Sequence, residues 1–188
     1  MRVLVWSFKG GVGKSTISAI LAKNSGFPVV TNDAYSILEG VVQDLTILGH
    51  DDIIPQKYNN IIIDLGGYVE ERVVSAIRQS DLVILPMTAE TATVKSALSA
   101  VAEIQAFGKP ILLVANRATE QDAMDIQEVF GENQPIVRLK ESRYFQRIFE
   151  SGPETGLEEI ADYALLRYAY REPISQAQTL IQQVYGYK

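Results

Sequence analysis

The 188-residue chain contains no cysteine. That absence removes disulfides, thiolate metal sites and cysteine nucleophiles together. The single histidine, His50, excludes a multi-histidine metal centre and reads as a residue of an inter-element loop. No apolar run approaches the roughly 20 residues of a membrane span, and no basic segment with an apolar core precedes the first strand. Neither a membrane anchor nor a signal peptide is expected, and a bacterial or archaeal cytoplasm is the expected home. Positive charge is also short: 17 Lys and Arg stand against 23 Asp and Glu, a net charge of −6. A surface basic all round is excluded, so any nucleic-acid contact has to be a local patch. Ser-x-x-Lys, a nucleophile elbow and a second phosphate motif are all missing.

What is present suits one ordinary domain, 47% hydrophobic and 21% charged, long enough to bury a substantial core. Short apolar runs at 3–7, 28–32, 61–64, 82–85, 111–115 and 136–137 read as strands. Helical spacing predicts helices over 15–24, 36–48, 69–79, 91–107 and 142–151, and two more over 157–171 and 174–185, separated by Pro173. The β-branched run Ile61-Ile62-Ile63 is typical of a strand covered on both faces. This alternation predicts an α/β fold: one mostly parallel sheet with helices on both faces and right-handed crossovers. Residues 1–188 are expected to form a single domain, with the C-terminal helices of 157–188 packed on it. Ligands of such sheets sit beyond the carboxyl ends of the strands, where the loop after strand one, Asp33, Asp64 and Asn116 all fall.

The loop after strand one, Ser7-Phe8-Lys9-Gly10-Gly11-Val12-Gly13-Lys14-Ser15-Thr16, is a phosphate-binding pattern. Its glycines permit backbone conformations in which successive N–H groups converge on phosphate oxygens, and the following helix adds its positive dipole end. Lys14 is placed to reach the β- and γ-phosphates and the Ser15 hydroxyl to ligate Mg²⁺. The usual pattern has a glycine six positions before this lysine, where Phe8 stands, and a second lysine, Lys9, follows it.

Lys9 to Thr16 resembles the deviant Walker A box of the ParA/MinD family of dimerising ATPases. The resemblance implies that Lys9 crosses a dimer interface to the ATP of the other subunit. It also implies that Asp64 is the Walker B aspartate holding Mg²⁺, and that Asn116, with Arg117 packed on the base, reads adenine. The family's first switch, Asp-x-Asp-Pro-Gln, compares with Thr31-Asn32-Asp33-Ala34-Tyr35. Only the aspartate that activates the attacking water has a counterpart, Asp33, so slow hydrolysis is expected. Read from the residues alone, the alternatives are a turn aspartate for Asp33, a strand-end cap for Asp64 and a common loop residue for Asn116. A guanine site would show an aspartate soon after the asparagine, and Asn116-Arg117-Ala118-Thr119 has none.

The chain looks most like a small plasmid-type ParA. That implies an ATP-dependent homodimer with ATP and Mg²⁺ as cofactors, non-specific DNA binding and nucleoid association. It also implies a ParB-like or other cargo adaptor that stimulates hydrolysis. The expected DNA surface is Arg138-Leu139-Lys140-Glu141-Ser142-Arg143-Tyr144-Phe145-Gln146-Arg147, where Arg138, Lys140, Arg143 and Arg147 stand against one acid. The alternatives are a membrane-cycling ATPase like MinD, or an ATP-gated scaffold with negligible turnover. The first is weakened because the segment 174–188 has only Lys188 as a base, so membrane binding is not expected.

Overall fold

The computed structural model describes residues 1–67, 71–161 and 164–186. Seven parallel strands form one sheet in the order β3-β2-β4-β1-β5-β6-β7. They are β1 (Arg2–Ser7), β2 (Val29–Thr31), β3 (Leu45–Ile47), β4 (Ile61–Gly66), β5 (Leu82–Met87), β6 (Ile111–Asn116) and β7 (Ile136–Leu139). The helices are α1 (Lys14–Ser25), α2 (Glu71–Gln79), α3 (Thr91–Gln105), α4 (Glu120–Phe130), α5 (Arg143–Glu150), α6 (Ala164–Ala169) and α7 (Arg171–Tyr185), with a 3₁₀ turn at Glu159–Ala161. The expected parallel α/β sheet is therefore what the chain forms.

The sheet divides the core into two layers, because successive side chains of a strand point to opposite faces. Val3, Val5, Ile62, Leu112 and Val114 pack with α1, α5 and α7 through Ile17, Leu21, Tyr144 and Leu180. Leu4, Trp6, Ile61, Ile63 and Leu113 pack with α2, α3 and α4 through Ile77, Ile104 and Ile126. The same alternation decides where the polar strand ends go. Asp64 shares the face of Ile62, Asn116 that of Leu112 and Val114, and Thr31 that of Val29. All three therefore emerge on the side of α1, the helix that begins in the phosphate loop.

Four sequence expectations change. No helix forms over 36–48; the segment is a set of turns followed by the edge strand β3. Leu38, Val41 and Val42 are buried as helical spacing requires, but a single turn suffices, Val41 and Val42 N–H both bonding the Leu38 carbonyl. Gly40 at φ 73° then turns the chain out of that conformation. The second change is α4, which sequence reading leaves out because it buries only Ile126. Third, β5 runs through Pro86 to Met87. Val83 donates its N–H toward β6, so the nitrogens of the even-numbered residues face β1, whose ladder ends at Ile84. Pro86 lacks the donor that would carry the β1 ladder further, while Pro86 and Met87 stay paired with β6. Fourth, Pro173 does not separate two helices but sits in the first turn of α7, where no intrahelical donor is needed. The expected starts at Val69 and parts of 157–171 and 174–188 lie outside the described residues.

Candidate functional site

The phosphate loop turns between β1 and α1 on two left-handed glycines, Gly11 at φ 73° and Gly13 at φ 98°. Gly13 has a second constraint, for a Cβ added there would lie 2.1 Å from Asn116 Nδ2. Gly13 caps α1 without any side-chain hydrogen bond, and the first turn of α1 carries no acid. The N–H groups and dipole of that turn are therefore left to an anion. The Val12 side chain is buried, so this residue has only its backbone to offer a ligand.

Beyond the loop lies a cleft of about 600 Å³ lined by Gly10, Gly11, Gly13, Lys14, Ser15, Thr16, Thr31, Asn32, Asp33, Ile37, Asp64 and Gly66. Lys14 Nζ donates to the Lys9 carbonyl at 3.2 Å. Burial lowers its pKa, while the charges of Asp64 and Asp33 work against that shift. Asp64 is only 3% exposed. Burial pushes its carboxyl up to about 6; Lys14 and the Ser15 and Ser18 hydroxyls oppose the rise, and Asp33 adds to it. Ser18 Oγ is buried near this carboxylate without completing a hydrogen bond. A deeply buried acid, an orphan hydroxyl and the Ser15 hydroxyl make a set of hard oxygen donors, which suits Mg²⁺. Asp33 stands at the rim, exposed, its Oδ1 accepting the Tyr35 N–H at 3.0 Å.

On the other side of the loop a second cleft, of about 230 Å³, shares Gly11, Gly13 and Thr16 with the first. Asn116, Arg117, Lys140, Glu141, Ser142, Phe145, Gln146 and Phe149 complete its lining. Asn116 Nδ2 donates to the Val12 carbonyl (2.9 Å) and Arg117 Nη2 to the Gly11 carbonyl (2.5 Å). Both residues thus hold the phosphate loop from the end of β6. Arg117 does so from a left-handed backbone, φ 54°. The Asn116 oxygen remains the acceptor of that side chain, complementary to an amino group on a base.

The glycines, Lys14, Ser15, Thr16, Asp33 and Asp64 thus meet in one cleft, and Asn116 and Arg117 line its neighbour. Lys9 is exposed on the outer side of the loop and lines neither. The basic stretch does not present one face. Arg138 pairs with Glu172 (2.7 Å) and Glu120 (3.4 Å), and Lys140 with Glu172 (2.6 Å). Arg143 is exposed, and Arg147 lies over the Tyr170 ring, 5.8 Å from its centroid. Sequence reading missed Asn32, Ile37 and Gly66 in the first cleft. Nor did it single out Phe149, which lines the second cleft beside Phe145. Their i, i+4 spacing just after the basic loop was the available signal.

No family model and no curated protein matches this sequence. Solved structures do match in fold. MinD from Pyrococcus horikoshii OT3, complexed with Mg-ADP, is 19% identical with TM-score 0.68, over 100% of this chain and 98% of that one. An ATP complex of a Cyanothece McdA variant is 15% identical with TM-score 0.67, over 100% and 97%. A ParA-family ATPase from Chlorobium tepidum TLS is 19% identical with TM-score 0.62, over 94% and 97%. The likeness is one of fold: a parallel sheet whose central strand runs through a glycine-rich loop into a helix. Within that class the architecture is that of the MinD, McdA and ParA ATPases.

Proposed function

We propose that this chain is a ParA-like positioning ATPase that binds Mg-ATP, dimerises on it and hydrolyses it slowly when stimulated by a cargo-adaptor protein. One observation carries the reading. A phosphate cradle with Lys14, Asp64 and Asp33 on one side opens on the other into a second cleft whose lining includes the Asn116 carboxamide and two phenylalanines. A nucleoside triphosphate has that division of charge and ring.

Gly10 to Gly13 and the first turn of α1 would cradle phosphate oxygens, Lys14 would move from the Lys9 carbonyl onto them, and Ser15 and Asp64 would hold Mg²⁺. The ion, when bound, neutralises charge on the transferring phosphoryl group. Asp33 orients or deprotonates the attacking water. Thr31, Ala34 and Tyr35 surround it without a second carboxylate, which favours slow turnover.

Lys9, exposed beside the cleft, is free to reach a second copy of the chain. The Lys9→Ala variant should bind ATP normally yet fail to dimerise, whereas Lys14→Ala should not bind. Sizing with a non-hydrolysable ATP analogue separates the two. Unimpaired dimerisation of Lys9→Ala would remove the main support for the family reading.

DNA is the favoured surface for the dimer, with Arg143 and Arg147 as its contacts, since Glu172 already neutralises much of the charge of Arg138 and Lys140. A membrane-surface helix needs a free apolar face, and α7 gives Ala177, Leu180 and Val184 to the core.

A further inference from the structure

The Asp33 loop is tied to the strand bearing Asp64 through one side chain. Asn32 follows β2 at the point where the backbone ladder between β2 and β4 ends on Thr31 and Asp64. Its carboxamide continues the pairing where the backbone stops. Nδ2 donates to the Gly66 carbonyl at 3.0 Å, and Oδ1 accepts the Gly66 N–H at 3.1 Å. A primary amide places donor and acceptor side by side as a peptide edge requires; a hydroxyl or a carboxylate does not.

What Asn32 grips is close to the chemistry. A Cβ on Gly66 would lie 3.4 Å from Lys14 Cε and 3.5 Å from Nζ, so the clamped peptide forms the wall against which Lys14 rests. Among the described residues Asp33 has little else to fix it. Its N–H bonds Thr31 Oγ1 at 3.1 Å and its carboxylate accepts the Tyr35 N–H at 3.0 Å, both within the same short turn. Tyr35, at 92% exposure, packs on nothing.

We propose that Asn32 is a positioning residue: by clamping the Gly66 peptide it keeps Asp33 in register with Lys14 and Asp64, so that the Asp33 loop and the exit of β4 move as one unit. The inference rests on the assignment of Asp33 to water activation. Replacement by Ala removes both bonds. Replacement by Asp keeps the acceptor for the Gly66 N–H but sets a carboxylate oxygen against the Gly66 carbonyl, opening half of the clamp.

The test uses the full chain as wild type, Asn32→Ala, Asn32→Asp, Asp33→Ala and the Asn32→Ala/Asp33→Ala double variant. Three quantities are measured: affinity for a fluorescent ATP analogue, single-turnover hydrolysis, and amide hydrogen exchange at Gly66 and Tyr35. Affinity should stay within about threefold in both Asn32 variants while hydrolysis falls at least about tenfold. Exchange should quicken at both amides in Asn32→Ala. Adding Asn32→Ala to Asp33→Ala should cost nothing further, because a group that acts through Asp33 has nothing left to position. A wild-type rate in Asn32→Ala, or losses that simply add in the double variant, would overturn the proposal. Should the wild type itself fail to turn over ATP, the functional reading fails instead, and exchange still decides the clamp: Tyr35 exchange must quicken in Asn32→Ala, and an unchanged rate there refutes the coupling.

Discussion

The two clefts that share the phosphate loop are built on opposite plans. In the larger one the chemistry-bearing groups are left short of partners: Asp64 is buried with a raised pKa, the Ser18 hydroxyl beside it completes no hydrogen bond among the described residues, and Lys14 rests on a carbonyl. In the smaller one the polar groups already hold one another. Asn116 and Arg117 bond the loop backbone, and Lys140 is paired with Glu172. A site that must stabilise charge in transit keeps its groups uncommitted at a cost in stability, whereas a site that only has to recognise can be rigid beforehand. The difference predicts how each should respond to substitution.

The largest effect is expected at Lys14, the ammonium of the uncommitted side. Lys14→Ala should weaken ATP binding at least about 100-fold, read by calorimetry, because no other cation among the described residues lines that cleft. Gly13→Ala attacks the boundary between the clefts, where φ is 98° and a Cβ meets Asn116. It should lower stability by about 2 kcal/mol or more in denaturant unfolding. Adding Asn116→Ala should recover part of that loss by removing the clash, though not the part that comes from φ.

Asp64 tests the idea that function here opposes stability. Its folded pKa, about 6, lies above the ordinary aspartate value of 3.8, so the native state binds the extra proton more tightly than the unfolded chain does. The stability it lends is fully present below about pH 4 and is lost as pH rises through 6, by at most about 3 kcal/mol. Asp64→Asn should flatten that slope and make the nucleotide-free protein more stable at pH 7, while weakening Mg²⁺-dependent ATP binding. Denaturant midpoints at pH 4.5 and 7 measure the first effect. A wild-type slope in the variant would refute the assignment.

The smallest effect is expected far from both clefts. Arg143→Ala and Arg147→Ala should each reduce the salt slope of ATP-dependent binding to mixed-sequence duplex DNA by about one, uniformly across sequences. Unchanged slopes would show that DNA is bound elsewhere or not at all.

The sequence was most readable where one signal dominated. Ile61-Ile62-Ile63-Asp64 reads as a covered strand delivering a carboxylate, and the strand ends already put Asp64 and Asn116 at one edge of the sheet. The failures came where two structures satisfy the same pattern. Leu38, Val41 and Val42 are buried in a single turn as well as they would be in a helix, and only Gly40 argued for the turn. The helix α4 is nearly all solvent-facing, so its hydrophobic period is faint. Its start was nonetheless marked by Thr119 and Asp122, which cap each other reciprocally. Asn32 was invisible for another reason: its partner is a backbone peptide 34 positions away, and no residue type signals that.

The place of β1 in the sheet has a consequence for how the protein is made. β1 lies in the centre, between β4 and β5, and neither neighbour exists until residues 61–87 have left the ribosome. The helix that follows it, α1, is closed from behind by α7, whose Tyr185 hydroxyl donates to the Leu21 carbonyl at 3.3 Å. The phosphate loop therefore emerges well before the strands and the helix that secure it.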